Sequence, residues 1–378
     1  MRHLFVTNDF PPKLGGIESY LTSLAKGFDP RDITVVAPTR EGFEKVDAAL
    51  PYEVIRIRGT YLRATRDVFR VVAEAARRTR ADAVHFLAAL PLGRLGPRIR
   101  DATGIPFTVV AHGTGEVLVP SRLPFARKAL REVLEAADIV FTNSEFTQGH
   151  VDRITDGRAA TVVLYPTVDT ERFSLAVGGG HVREEHALGA QFVVLFVSRL
   201  VKRKGADIAI RACAALEDDV ALLVVGDGPE RKSLERLTRE LDAEDRVVFA
   251  GSVDEEDLPA YYASSDVFCM PCSERFRGLD TEGFGIVYLE AQASGLPCIA
   301  GECGGSVEAV EDGLTGIVLK DSTAKAVASE IKKLLRDPAL SAKLGAAGRQ
   351  RVERRFSPGV GAQSLEEALA LVLSDSAG

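Results

Sequence analysis

Phe192-Val-Val-Leu-Phe-Val197-Ser-Arg199-Leu-Val-Lys-Arg-Lys204-Gly205 decides how this chain is read. Six apolar residues in an unbroken run suit a strand covered on both faces, as in a parallel sheet. A cationic loop follows, and Gly205 then opens a helical pattern. The stretch is one βα unit with its loop at the carboxyl end of the strand, where open α/β sheets bind ligands. Arg199, Lys202, Arg203 and Lys204 stand out in an otherwise acidic half of the chain. Such a loop suits a diphosphate, which Arg and Lys neutralise and stabilise as a leaving group.

The same unit recurs in both directions. In the second half, strand-like runs fall at 192–197, 221–225, 247–250, 267–270, 297–300 and 316–319. In the first half they fall at 4–7, 34–37, 54–57, 83–87, 107–111, 139–142 and 162–165, with helical patterns such as 64–80 between them. This alternation predicts α/β architecture with two doubly wound domains, and 378 residues are enough for both. The pattern breaks near Tyr165-Pro-Thr, and Gly178-Gly-Gly-His follows. The stretch 166–190 is therefore read as a connection between domains 1–170 and 171–356, with a helical tail at 357–378.

Composition narrows the function classes. A net charge of −7 argues against nucleic acid as the main partner, while the mildly basic first half suits an anionic surface. No apolar run reaches the length of a spanning helix, and no signal-peptide pattern precedes the first strand. A cytoplasmic protein is expected, peripheral to a membrane if it uses the basic amphipathic stretch 117–131. All five cysteines lie in the second half. Cys269 and Cys298 sit in apolar runs, so the set reads as small core residues rather than a metal site.

Glu282-Gly-Phe-Gly-Ile-Val-Tyr-Leu-Glu290 carries the sharpest chemistry. Gly283 and Gly285 precede a helical run, and glycines at a helix mouth let a ligand approach free backbone N–H groups. Glu290 falls on the second turn, roughly 7–8 Å from the mouth. Two carboxylates so spaced suit two sugar rings of one phosphorylated ligand. Glu282 reads either as a clamp on hydroxyls or as a covalent nucleophile. Other motifs also follow strands. Thr7-Asn8-Asp9-Phe-Pro-Pro-Lys13-Leu-Gly15-Gly16 offers a second helix mouth, and Ala111-His112-Gly113 ends a strand beside it in pattern. Gly226-Asp-Gly228-Pro229 is either a tight turn with Pro229 opening a helix or a ligand loop. Ser144 reads as a helix N-cap.

Taken together, Gly15-Gly16, Ala111-His112-Gly113, Arg199-x4-Lys204-Gly205 and Glu282-x7-Glu290 resemble the retaining glycosyltransferases of family 4. Thr7-Asn-Asp-Phe-Pro-Pro, Arg199-Leu-Val-x-Arg-Lys-Gly and Arg277-Gly-Leu-Asp-x-Glu-Gly-Phe-Gly-Ile-Val-Tyr-Leu-Glu narrow the likeness to the PimB-type phosphatidylinositol mannosyltransferases. The resemblance implies the GT-B fold, two Rossmann-like domains with a deep cleft between them and a last helix that crosses back to the first. It implies a GDP-mannose donor, a phosphatidylinositol mannoside-type lipid acceptor, retention by front-face attack, and no cofactor or metal. A UDP-sugar with another acceptor is the alternative. Arg199 and Lys204 would hold the diphosphate. Glu282 with the Gly283, Phe284, Gly285 and Ile286 stretch would hold the transferred sugar, and Glu290 the ribose. The base would rest on Val248, Phe249 and Gly251, with Gly226 close by. Gly15 and Gly16 would approach phosphate, and His112 the reactive face of the sugar. Asn8, Asp9, Lys13 and His112 would meet the acceptor. The chain departs from the family pattern after His112, where it reads Gly-Thr-Gly-Glu116.

Overall fold

The computed structural model describes residues 1–13, 15–216, 219–276 and 278–375. Leu14 and Arg277, which belong to two of the stretches quoted above, lie outside the described residues. The chain forms two compact units. One takes Met1–Thr167 together with the segment from Pro358 onward, and the other takes Val168–Ser357.

The first unit is built on strands β1 (His3–Val6), β2 (Ile33–Pro38), β3 (Glu53–Ile57), β4 (Ala83–Phe86), β5 (Phe107–Ala111), β6 (Ile139–Thr142) and β7 (Thr161–Val163). They pair in parallel in the order β3-β2-β1-β4-β5-β6-β7. β1, β2, β4, β5 and β6 are buried along their whole length, which is why their sequences are continuous apolar runs rather than alternating ones. Side-chain caps start the covering helices. Thr65 accepts from the Val68 N–H at 3.3 Å to open helix Arg66–Thr79, and Ser144 accepts from the Thr147 N–H at 3.1 Å to open Glu145–Thr155.

Helix Pro358–Asp375 completes this unit, with Leu365 and Leu369 buried. Glu366 on it accepts from the Met1 ammonium at 3.1 Å and stands 3.4 Å from His3 Nε2. His3 Nδ1 in turn meets His85 Nε2 at 3.0 Å, and His85 Nδ1 meets Thr108 Oγ1 at 2.8 Å. Burial holds both imidazoles below their ordinary pKa, against the pull of Glu366 on His3.

The second unit repeats the scheme with β8 (Phe192–Val197), β9 (Val220–Val225), β10 (Val247–Gly251), β11 (Val267–Met270), β12 (Cys298–Gly301) and β13 (Gly316–Leu319). Their order is β10-β9-β8-β11-β12-β13, again parallel. Strand order reverses between β1 and β4 and between β8 and β11, so each sheet has a switch point where its loops part.

Two expectations need correction. The stretch 166–190 is not a bare connection: the second unit begins at Val168 and contains helix Gly180–Glu185. Val182 is fully buried there, and Arg183 reaches Asp266 at 2.9 Å and the Gln191 carbonyl at 3.1 Å. Gly179 is the N-cap of that helix and Gly180 its first residue, so these glycines do not mark a spacer. Pro229 does not open a helix, because the helix runs Arg231–Glu240. The basic stretch 117–131 is broken, with a π-type turn at Thr114–Leu118, a short helix Val119–Ser121 and a longer one Pro124–Ala136.

All five cysteines are free and buried. Burial pushes the Cys213 thiol up to about 12, as expected of a small core residue. Among the described residues no helix is long and apolar enough to cross a membrane.

Candidate active site

In the second unit, the loop after β8 turns through a 3-10 segment, Lys202–Lys204, and enters helix Ala206–Ala214 at Gly205. Gly205 has φ +77°, and a Cβ there would lie 2.4 Å from the Pro271 carbonyl oxygen. Only glycine allows this loop to lie against the end of β11. The loop after β9 is held as tightly. Gly226 has φ +119°, and a Cβ there would lie 2.1 Å from the Ser198 carbonyl oxygen. Its N–H donates to the Gly251 carbonyl at 2.6 Å. The segment 226–228 is thus a close-packed turn beside the cationic loop.

Glu282 is 7% exposed, and its Oε2 takes Lys204 Nζ at 2.6 Å and Arg203 Nη1 at 2.6 Å. Arg203 Nε also reaches Asp280 Oδ1 at 2.9 Å. Burial pushes the Glu282 carboxyl up, but Lys204 and Arg203 outweigh it, so the group stays below its ordinary pKa and is ionised. An ionised carboxylate accepts hydrogen bonds and donates none. Its main chain is fixed too, because the Gly305 N–H donates to its carbonyl at 2.9 Å and its own N–H reaches Cys303 Sγ at 3.4 Å. Lys204 is therefore brought to Glu282, whereas Arg199, two residues after the end of β8, is exposed. The contact of Arg203 was not anticipated: in a run of three cations, nothing in the sequence says which one turns inward.

Gly285 caps helix Ile286–Ala293, so the helix mouth lies directly after Glu282 and Gly283. Phe284 is 1% exposed, with its ring 5.8 Å from that of Phe356. Its side chain is core, so only its backbone is available to a ligand. Ile286 opens the helix, and Glu290 follows on the same helix, 8% exposed. Burial raises the Glu290 pKa, and Tyr262 and Arg172 oppose that rise. The Tyr262 hydroxyl donates to Glu290 Oε2 at 2.7 Å, a partner 28 positions away that no spacing rule would find. Val248, Phe249 and Gly251 belong to β10 itself, not to a turn after it. The Arg231 guanidinium covers the Phe249 ring at 4.7 Å.

In the first unit, β1 leads into the loop that carries Asn8, Asp9 and Lys13. Asn8 is 6% exposed, and both ends of its amide are taken: Nδ2 donates to the Leu62 carbonyl at 3.0 Å and Oδ1 accepts from the Leu62 N–H at 2.6 Å. Asn8 therefore pins two loops together, which uses one N–H and one lone pair of its amide. Lys13 is exposed, pairs with Asp9, and stands 2.9 Å from Glu18 Oε1. Gly15 caps helix Gly16–Ala25, and a Cβ on Gly15 would lie 2.7 Å from Glu18 Oε2. The chain's own carboxylate thus lies at this helix mouth, while a Cβ on Gly16 would meet nothing within 4 Å.

His112 follows β5. Burial lowers its pKa to about 4, against Asp9 and a hydrogen bond to the Leu87 backbone. Its Nε2 is buried without a partner, and its ring meets the Tyr20 edge at 5.1 Å between centroids. Among the described residues, no group of three or more His, Cys, Asp or Glu is placed to hold a metal ion.

Residues 181–351 match the model of the glycosyl transferases group 1, and residues 14–172 that of Glycosyltransferase Family 4. The chain is 40% identical to the GDP-mannose-dependent alpha-(1-6)-phosphatidylinositol monomannoside mannosyltransferase of Mycolicibacterium smegmatis, over 92% of each chain. It is 36% identical to a GDP-mannose-dependent monoacylated alpha-(1-6)-phosphatidylinositol monomannoside mannosyltransferase of Corynebacterium glutamicum, over 94% of each. HepE of Anabaena, crystallised with UDP, superposes with a TM-score of 0.83 at 23% identity, over 98% of this chain and all of that one. That last likeness shows the fold alone, which is GT-B. With relatives this similar over nearly its whole length, the chain belongs to the family 4 glycosyltransferases, alongside the phosphatidylinositol monomannoside mannosyltransferases.

Proposed function

We propose that this enzyme transfers mannose from GDP-mannose to a phosphatidylinositol mannoside-type lipid, with retention of configuration and without a metal ion. The observation that carries the reading is the 40% identity to a mannosyltransferase of that donor and acceptor over 92% of both chains. The site chemistry supports it. Lys204, Arg203 and Arg199 supply the positive charge that a departing diphosphate needs, so a divalent ion is dispensable. Glu282 is ionised and pinned by two cations, which suits a clamp on sugar hydroxyls. A retaining reaction then proceeds by attack on the face from which the diphosphate leaves, with a donor phosphate oxygen taking the acceptor's proton.

The lipid acceptor calls for contact with a membrane surface. Val119, Leu123 and Phe125 are 47%, 58% and 92% exposed, and Arg122, Arg127 and Lys128 lie among them. Apolar side chains amid basic ones suit an anionic interface, and contact there would place the enzyme on the inner face of the cell membrane. The test is incubation with GDP-mannose, and separately UDP-glucose, plus phosphatidylinositol monomannoside, with and without EDTA. Product gaining one hexose from GDP-mannose alone, undiminished by EDTA, is expected. Transfer only from the UDP-sugar would overturn the donor assignment.

A further inference from the structure

Among the buried side-chain atoms of the first unit that have no partner inside the protein are His112 Nε2 and Glu116 Oε2, four residues apart in sequence. Buried polar groups are otherwise paired, so each orphan calls for an explanation. The two are neighbours in the fold. The π-type turn Thr114–Leu118 follows β5 directly and is closed by the Val117 N–H donating to the Gly113 carbonyl at 2.8 Å. It folds Glu116 back so that its carboxyl accepts from the His112 backbone N–H. Turns of this type are rare and often sit at functional sites.

The two groups are chemically complementary. One ring nitrogen of His112 is bonded to the Leu87 backbone, whose carbonyl makes it the proton carrier. Nε2 is then a bare acceptor. Burial raises the Glu116 pKa to about 8; Asp9 adds to the rise, while the His112 N–H and Lys13 oppose it. Near neutral pH the carboxyl is protonated and presents an O–H donor. The charged groups acting on it come from the segment after β1, and helix Glu145–Thr155, packed on the same turn, carries Glu145, His150, Asp152 and Arg153. An acceptor nitrogen beside a donor hydroxyl matches two neighbouring hydroxyls on a pyranose or cyclitol ring.

We propose that Glu116 is a substrate-binding residue that, together with His112 Nε2, holds two ring hydroxyls at the carboxyl end of β5. The proposal rests on the transferase reading given above. Its source is either the acceptor's ring or the transferred sugar, and kinetics separates them. Neutral Glu116 is imitated by an amide, so Glu116→Gln and Glu116→Ala form the test, with KM for GDP-mannose and for phosphatidylinositol monomannoside, kcat from pH 6.5 to 9.5, GDP titration and thermal melting.

Glu116→Ala is expected to raise one of the two KM values about tenfold or more, since a site built for a hydroxyl is left incomplete. Glu116→Gln should stay within about threefold of the parent and lose the fall in affinity expected of the parent above about pH 8. GDP affinity should change less than twofold in both. The substrate whose KM moves is the one held. A folded Glu116→Ala enzyme with both KM values unchanged overturns the proposal. So does a Gln variant as impaired as Ala with the parent's pH profile. A parent enzyme that binds GDP yet transfers no mannose overturns the transferase reading itself, and this proposal with it.

Discussion

Lys204 Nζ and Glu282 Oε2 lie 2.6 Å apart with both side chains largely buried, and the same oxygen takes Arg203. The pairing keeps Glu282 charged without making it a proton donor. Glu282→Gln is expected to lower turnover about a hundredfold or more. GDP affinity, measured by titration, should stay within about threefold, because the cations remain. A loss of GDP binding equal to the loss of rate would remove Glu282 from the sugar and place it at the nucleotide.

The same ion pair predicts a pH effect on stability. The folded pKa of Glu282 lies below its ordinary value, so its contribution is complete above about pH 4.3, the unfolded value. It fades as pH falls through the folded value. Melting curves of the parent and of Glu282→Gln should therefore differ at pH 7 and converge once the pH has fallen below the folded value.

Tyr262→Phe removes the hydroxyl that orients Glu290 and leaves a buried carboxyl oxygen without its donor. The expected cost is about 1–3 kcal/mol of stability. A several-fold weakening of GDP, by calorimetry, is expected if Glu290 grips the ribose. Unchanged GDP affinity in a destabilised protein would make the pair purely structural.

Gly16→Ala separates a ligand requirement from a folding one. A Cβ there meets nothing within 4 Å, so melting should shift by less than about 0.5 kcal/mol equivalent. Activity should nevertheless fall, because a methyl group intrudes on any ligand approaching that helix mouth. Full activity would show that no substrate comes so close.

The His3–His85 pair predicts acid sensitivity. Both imidazoles are held below their ordinary value, so below about pH 6.5 the unfolded chain binds more protons than the folded one. Stability of the first unit should fall as pH drops from 7 to 5. A buried, uncharged replacement, His85→Gln, should flatten that slope in denaturant titrations.

Leu123→Ser with Phe125→Ser should weaken sedimentation with vesicles containing anionic phospholipid, and leave sedimentation without them unchanged. Equal binding by the double variant would move any membrane contact elsewhere on the surface.

The fold was legible because buried parallel strands leave continuous apolar runs. β8 and β9 match their sequence assignments to within a residue. Caps such as Ser144 were legible for the same local reason. What stayed hidden depends on distant partners. The spacing of Asn8 after a strand does not show that its amide exchanges two hydrogen bonds with the backbone of Leu62, 54 positions away. Arg203 and Lys204 are adjacent in sequence, yet only packing turns both onto one carboxylate. Gly178-Gly-Gly reads as a spacer, although Val182 and Arg183 a few residues on anchor a helix. Glu116 stood out only as an irregularity after His112, and its significance comes from an oxygen that no neighbour satisfies.

The first unit receives its last helix, Pro358–Asp375, only after all of the second unit has been threaded between. Leu24 and Tyr20 lie on the helix Gly16–Ala25 that this late segment covers. During synthesis, then, the second unit is ready to fold while the first still lacks a wall. The nascent chain carries an apolar seam on helix Gly16–Ala25 until residues 358–375 have left the ribosome, and His3 waits for Glu366, 363 positions later.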